Sequence, residues 1–256
     1  MPEMIIDSHT HYPFGEFKEM KNIVEIIRLA RKFGISKLCL LGDVFHYGSY
    51  PNEEQIKETN DLTIELTRKH PDFLVGFCYL NASNDTDFCL REIERCVVQN
   101  GFKGVKFEIS LNCRSRKMDA IMKKVTELGC VAFHHTWYKS TGKHEEESDP
   151  SDIADLAARF PDAKIVMPHL AGCGMRGVLD IMKHKNVYID TSGAQPVSGI
   201  IEYAVEKLGA DRILYGSDVV GRDFSAQLGR IYGAGISEKD RKKILGLNAQ
   251  KLFKLN

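Results

Sequence analysis

The sequence of 256 residues has no apolar run that approaches the roughly 18 residues a membrane-crossing helix needs, so no transmembrane segment is expected. Nor is there an excess of charge of either sign: 35 Lys and Arg balance 35 Asp and Glu. Without a long-range field there is no electrostatic reason to expect nucleic acid or an anionic membrane as partner. The seven cysteines are odd in number and no pair has a CxxC spacing, which argues against a disulfide framework. Most of them fall on apolar positions, where inert buried thiols are expected. Tryptophan is limited to Trp137, and low-complexity segments and internal repeats are missing. Met1 to Ile6 lead directly to Asp7 and His9 with no apolar leader, so a signal peptide is not expected and a cytoplasmic location is.

What is present is an ordinary globular composition, 43% apolar and 27% charged, long enough for a large buried core. Short runs rich in β-formers begin near Ile5, Ile35, Phe73, Gly104, Cys130, Lys164, Asn186 and Arg212. Segments with helical periodicity separate them. After the first run, Met20, Ile23, Val24, Ile27 and Ala30 fall on one helical face, and Gly34 suits a C-cap. Later helices are expected over 152–159, 178–184 and 200–208, with Pro196 suited to a helix start. Strands buried on both faces, each followed by a helix, imply a parallel sheet. Eight such units in this length fit a single α/β domain over 1–256, a (β/α)8 TIM-type barrel. A doubly wound open sheet is the rival. However, Gly172 to Gly177 matches its phosphate-binding turn only as a bare GxGxxG in irregular spacing, and reads as a loop. The tail from Ser237, an N-cap, carries Leu245, Ala249, Leu252 and Phe253 as a C-terminal helix that packs over the barrel.

Parallel barrels carry their chemistry at the C-terminal ends of strands. There the sequence places His9 and His11, Lys106 and Glu108, His134 and His135, His169, Asp190 and Asp218. His9 and His11 are two apart and share a side, as do Lys106 and Glu108. Imidazole with carboxylate suits zinc or a similar divalent ion. The set His9, His11, Glu108, one of the His134–His135 pair, His169 and Asp218 is large enough for two ions. Asp190 reads either as an orienting partner of a ligand histidine or as barrel packing. Substrate contacts are expected from His46, Trp137, Arg114, Arg176 and Arg222, which lie in loops after strands. Each has a plainer reading as a surface or packing residue. Residues 138–150 are polar and read as a lid or as solvent-facing chain, and His70, His144 and His184 read as solvated.

The motifs DSHTH (7–11), MPHLAG (167–172), YGSD (215–218) and ILGLNAQKLFKL (244–255) resemble the amidohydrolase superfamily, in particular its amidohydrolase-related branch, family 2. The resemblance covers essentially the whole chain. It implies a (β/α)8 barrel holding one or two divalent ions, usually zinc. His9, His11 and His169 match its strand-one and strand-six ligands, and Asp218 matches the strand-eight aspartate that binds metal and shuttles a proton. Gly129 followed six residues later by His135-Thr136 matches the strand-five pattern and selects His135. On strand four, Lys106 could mimic the carboxylated lysine of some members, and Glu108 the glutamate of others. Glu108 is favoured, and with it two zinc ions per chain rather than one. The expectation is therefore a hydrolase in which a metal-bridging hydroxide attacks an amide, lactone or ester of a small molecule. Asp218 would be acid and base, with His169 also in the catalytic set. The alternatives are a non-oxidative decarboxylase with one zinc, in which His169 could be the acid–base group, and a TatD-like phosphodiesterase. A homodimer is compatible with such a barrel.

Overall fold

The structure is a computed structural model that describes residues 4–12, 22–42 and 46–255. Its strands are β1 (Ile5–Thr10), β2 (Ile35–Leu40), β3 in two pieces (Leu74–Gly76 and Cys78–Leu80), β4 (Gly104–Phe107), β5 (Val131–His134), β6 (Lys164–Met167), β7 (Val187–Asp190) and β8 (Ile213–Leu214). All pair in parallel and in chain order. Hydrogen bonds from Phe77 N–H to Leu40 O (3.0 Å) and from Lys103 N–H to Gly76 O (2.9 Å) carry the sheet across the break in β3. β8 returns to β1 through Ser8 N–H to Tyr215 O at 2.9 Å and a parallel bridge between Thr10 and Val219. The expected (β/α)8 arrangement is what the chain adopts.

The strand-connecting helices are α1 (Ile23–Lys32), α2 (Glu53–Lys69), α3 (Thr86–Ile93), α4 (Met118–Glu127), α5 (Pro150–Arg159), α6 (Leu170–Ile181), α7 (Ile200–Leu208) and α8 (Phe224–Tyr232). Each buries one stripe against the outside of the strands, giving an outer core with Leu38, Leu40, Ile165 and Ile189. A separate inner core fills the barrel with Ile6, Cys39, Phe77, Phe133, Val166 and Leu214. The tail, α9 (Glu238–Lys242) and α10 (Asn248–Leu252) joined by a π-helical turn, adds Ala249, Leu252 and Phe253 to that inner core. Ser237 caps α9 by accepting from Asp240 N–H. No helix among the described residues is long and apolar enough to cross a membrane.

Three local expectations need correction. Gly172 to Gly177 is not a loop but the first half of α6, interrupted at Gly174, whose φ of 61° and ψ of −160° are non-helical. The helix expected over 178–184 therefore begins earlier, and its glycines concealed the start. Pro196 does not open α7; Gly199 does, from the left-handed region that glycine adopts without Cβ strain. Met20 lies outside the described residues.

Candidate metal centre

The barrel mouth is organised around His9. Its Nε2 lies 3.2 Å from His11 Nε2, and Asp218 Oδ1 is 3.6 Å from the first and 3.5 Å from the second. The β1–β2 register shifts between Ile5 and Ile6 and again between Asp7 and Thr10. These irregularities let both histidines face inward although Ile6 also belongs to the inner core. The opposite ring nitrogens are tied down: His9 Nδ1 to Asp190 Oδ2 and His11 Nδ1 to Gly42 O, each at 2.8 Å. A carboxylate and a carbonyl can only accept, so both Nδ1 atoms carry hydrogen and both neutral rings turn an Nε2 lone pair toward the same point. Two lone pairs and a carboxylate converging in a buried site require a cation between them, and this donor set fits a divalent metal. Burial lowers the His11 pKa, but the hydrogen bond and charge of Asp218 outweigh it and hold His11 above its ordinary value. Burial would raise Asp218, yet the His11 hydrogen bond and the His9 and His169 rings hold it well below the usual carboxylate range.

His169 completes the wall, its ring centroid 4.9 Å from that of His9. Its Nδ1 is 2.8 Å from Ser192 Oγ, whose single hydrogen goes to Asp190 Oδ1 at 2.5 Å. Ser192 Oγ must therefore accept from His169, which leaves His169 Nε2 as a further lone pair. Burial pushes the His169 pKa well below its ordinary value. Asp190, fully buried, thus orients His9 directly and His169 through Ser192. Ser192 was not among the residues singled out from sequence. His169 and Asp218 both sit at positive φ, 66° and 62°, a strained region for a residue with a Cβ. Gly216 is what allows β8 to come this close: a Cβ there would stand 2.9 Å from His9 Cβ and 3.0 Å from Asp190 Cγ.

The other wall is a chain of alternating charges. Lys106 Nζ, fully buried, pairs with Glu108 Oε1 at 2.8 Å, and Glu108 Oε2 faces His135 Nδ1 at 3.4 Å. His135 Nε2 meets Glu147 Oε1 at 3.3 Å, and Glu147 pairs with Lys139 at 2.9 Å. Among the described residues, groups of three ligand atoms form only around His9, with His11 and Asp218 or with His169 and Asp190. The second of these is a set of mutual hydrogen-bond partners. Glu108 and His135, expected as ligands, are placed instead with Lys106 and Glu147. A carboxylated Lys106 would set an anion against Glu108, whereas the 2.8 Å ion pair suits an ammonium.

The cavity between the walls is about 260 Å³, below the roughly 300–1,000 Å³ of pockets for drug-sized ligands, so it suits a small molecule. Trp137 and Arg222 line it. Trp137 packs over Gly172, where a Cβ would come within 2.8 Å of the indole. Three expected contacts are placed elsewhere. Arg114 is exposed and paired with Asp152 on α5 at 2.5 Å, Arg176 is exposed and paired with Asp180 at 3.0 Å, and the exposed His46 is not in the lining. His144 is exposed, as expected, and also borders the cavity, as does Glu147, which sequence reasoning missed.

His134 turns away from the cavity, its ring 5.7 Å from Phe107 and its Nδ1 2.9 Å from His135 O. Burial lowers its pKa from 6.5 to about 4. The folded state therefore resists a proton that the unfolded chain accepts. The resulting stability is complete above pH 6.5 and is lost as pH falls toward 4, by about 3 kcal/mol. Urea unfolding of His134→Gln at pH 7 and pH 4.5 is expected to show a smaller loss between the two than wild type; an equal loss would remove His134 as its source.

Residues 6–255 match the family model for amidohydrolases, Amidohydro_2. The chain belongs to the amidohydrolase family. A gamma-resorcylate decarboxylase of a Polaromonas strain is 25% identical over 316 aligned positions, covering 99% of this chain and 95% of that relative. Two further curated relatives, from Rhodococcus jostii and a Rhizobium strain, carry the same name at 23% identity. The alignment of 316 positions exceeds the 256 residues here, so that relative has segments this chain lacks. Among solved structures, 2,6-dihydroxybenzoate decarboxylase from Rhizobium superposes with a TM-score of 0.81 at 20% identity over 99% of both chains. A dihydroxybenzoic acid decarboxylase from Polaromonas, solved with manganese and 2-nitroresorcinol, gives 0.78 at 20% identity over 99% of this chain and 98% of that one. These relatives overturn the expected hydrolase: the curated proteins that align with this amidohydrolase end to end are decarboxylases. The ligand set misled because histidines and an aspartate around a metal serve either reaction.

Proposed function

We propose that this enzyme is a metal-dependent, non-oxidative decarboxylase of a small hydroxylated aromatic carboxylate. The observation that carries the reading is end-to-end alignment with three gamma-resorcylate decarboxylases. The site is compatible with it. His9, His11 and Asp218 would hold one divalent ion, manganese being the ion in a solved relative, in place of the two zinc ions expected from sequence. Bound there, the ion would supply a Lewis-acidic point for the oxygens of a substrate.

The rest falls to the chain itself. Trp137 offers an aromatic face to a ring, and Arg222, whose guanidinium donates to the Gly221 carbonyl at 2.8 Å, offers charge to an anionic substituent. Asp218, held as a carboxylate, takes the proton of the substrate's acidic hydroxyl and returns it to the ring carbon that bears the carboxylate. A C–H bond forms, the C–C bond breaks, and its electron pair restores the ring as CO2 leaves. His169 Nε2, a lone pair at the cavity wall, offers a hydrogen-bond acceptor to a ring hydroxyl and takes no proton.

The test is incubation of manganese-loaded protein with 2,6-dihydroxybenzoate and related ring carboxylates, following CO2 and the decarboxylated ring by chromatography. Conversion of at least one, lost after chelation and recovered with manganese, is expected. A panel left wholly unconverted by metal-loaded protein counts against the proposal.

A further inference from the structure

Glu147 lies in the polar segment between β5 and α5, where residues 140–145 are all exposed, yet its side chain is only 1% exposed. It accepts from His135 Nε2 at 3.3 Å, from Lys139 Nζ at 2.9 Å and from the His144 backbone N–H at 3.2 Å, and its own N–H donates to His144 O at 3.1 Å. The neighbouring residues stitch the base of the segment to the chain after β4. Asn112 N–H donates to Glu146 Oε2 at 2.9 Å, Cys113 N–H to Ser148 Oγ at 3.0 Å, and Trp137 N–H to Ser148 O at 3.2 Å. Burial would raise the Glu147 pKa, but hydrogen bonds from His135 and Lys139 bring it down to about 2, so it stays a carboxylate under all ordinary conditions.

A buried carboxylate beside the exposed stretch 140–145 is expensive unless its partners require it. His135 lines the cavity beside His169, its ring centroid 5.0 Å from that of His169, and its two nitrogens face Glu108 and Glu147. Trp137, two residues further along the same strand end, is 5.1 Å from His169. We propose that Glu147 is a positioning residue that fixes His135 at the cavity wall and, through Lys139, holds the β5–α5 segment against Trp137, so that a ring ligand meets a preformed surface. It borders the cavity with a side chain only 1% exposed and acts through these residues. A preformed wall improves binding because the ligand need not order it.

Trp137 is the only tryptophan, so intrinsic fluorescence reads this wall without any need for turnover. The experiment compares wild type, Glu147→Ala, Glu147→Gln and Lys143→Met, all manganese-loaded. Lys143→Met cuts the exposed pairing of the same segment with Asp149, 3.2 Å away, and serves as the control for general loosening. The readouts are acrylamide quenching of Trp137, the affinity for 2-nitroresorcinol by fluorescence titration, and kcat and KM on whichever ring carboxylate is converted. Glu147→Ala is expected to expose Trp137 to quencher and weaken 2-nitroresorcinol about 10-fold, the scale of one lost hydrogen bond to a charged group. Glu147→Gln, which keeps an acceptor oxygen for His135, should recover most of that loss, and Lys143→Met should resemble wild type. Folded Glu147→Ala with unchanged quenching and affinity overturns the proposal. So does Glu147→Gln as impaired as Ala, the arm that decides if Ala does not fold. The turnover and 2-nitroresorcinol arms rest on the decarboxylase reading and the quenching arm does not. If wild type converts no ring acid but Glu147→Ala unmasks Trp137, the functional reading fails alone; if wild type converts one and the variants match it throughout, the positioning role fails alone.

Discussion

Asp218→Asn protein is expected to lose about 10³-fold in kcat, within the 10²–10⁴ range that a positioned proton carrier contributes, while still binding a divalent ion. Asn keeps the size of Asp218 and one oxygen near His9 and His11, now 3.6 and 3.5 Å away, but cannot take up and return a proton. The backbone has no reason to move, because Asp218 N–H donates to His9 O at 2.8 Å whichever side chain is present. The check is kcat at saturating manganese beside a direct manganese titration. Undiminished turnover would remove Asp218 as the proton carrier. Loss of turnover together with all metal binding would make it only a ligand.

The second large effect is expected at Asp190, which never reaches the cavity. It receives His9 Nδ1–H at 2.8 Å, His169 N–H at 3.1 Å and Ser192 N–H at 2.9 Å, besides the Ser192 hydroxyl. In Asp190→Asn an amide NH2 can stand where Oδ2 accepted from His9. Donor then faces donor, and relief comes only if His9 moves its hydrogen to Nε2, where it blocks the lone pair meant for the ion. Manganese affinity should fall 10–100-fold, as for other carboxylates that orient a ligand histidine. Stability should fall by about 1–3 kcal/mol for the buried group left unpaired. Competition with a chelator and the unfolding midpoint measure the two. Wild-type affinity in Asp190→Asn would make Asp190 a packing residue, the plainer reading its sequence position allowed.

The barrel was legible because eight apolar runs alternate with helical periodicity, and that pattern survives irregularities as large as the break at Phe77. Much of the mouth was legible for the same reason: a rule about strand ends gathers His9, His11, His169 and Asp218 without any knowledge of the loops. Strand parity could not choose between His134 and His135. The structure places His134 behind the wall and His135 in the cavity lining. Loop residues were the least readable. Arg114 and Arg176 carried the right charge, but each finds an acid on a neighbouring or its own helix, and an ion pair with a helix carboxylate is not encoded by position after a strand. Glu147 stands beside two further glutamates in a run that looks solvated, and only the fold turns one of the three inward. Ser192 was hidden because a hydroxyl matters here for its place between Asp190 and His169. Reaction type was not legible from the ligands at all, since the same metal-binding set can activate water or hold a ring acid.

The most direct test of the account is a manganese titration of metal-free protein in which CO2 release from 2,6-dihydroxybenzoate is followed against ions bound per chain. One ion held by His9, His11 and Asp218 predicts activity that rises linearly and breaks at one manganese per chain. A break at two ions, or full occupancy of the site with no CO2 released from this or any related ring acid, would contradict it.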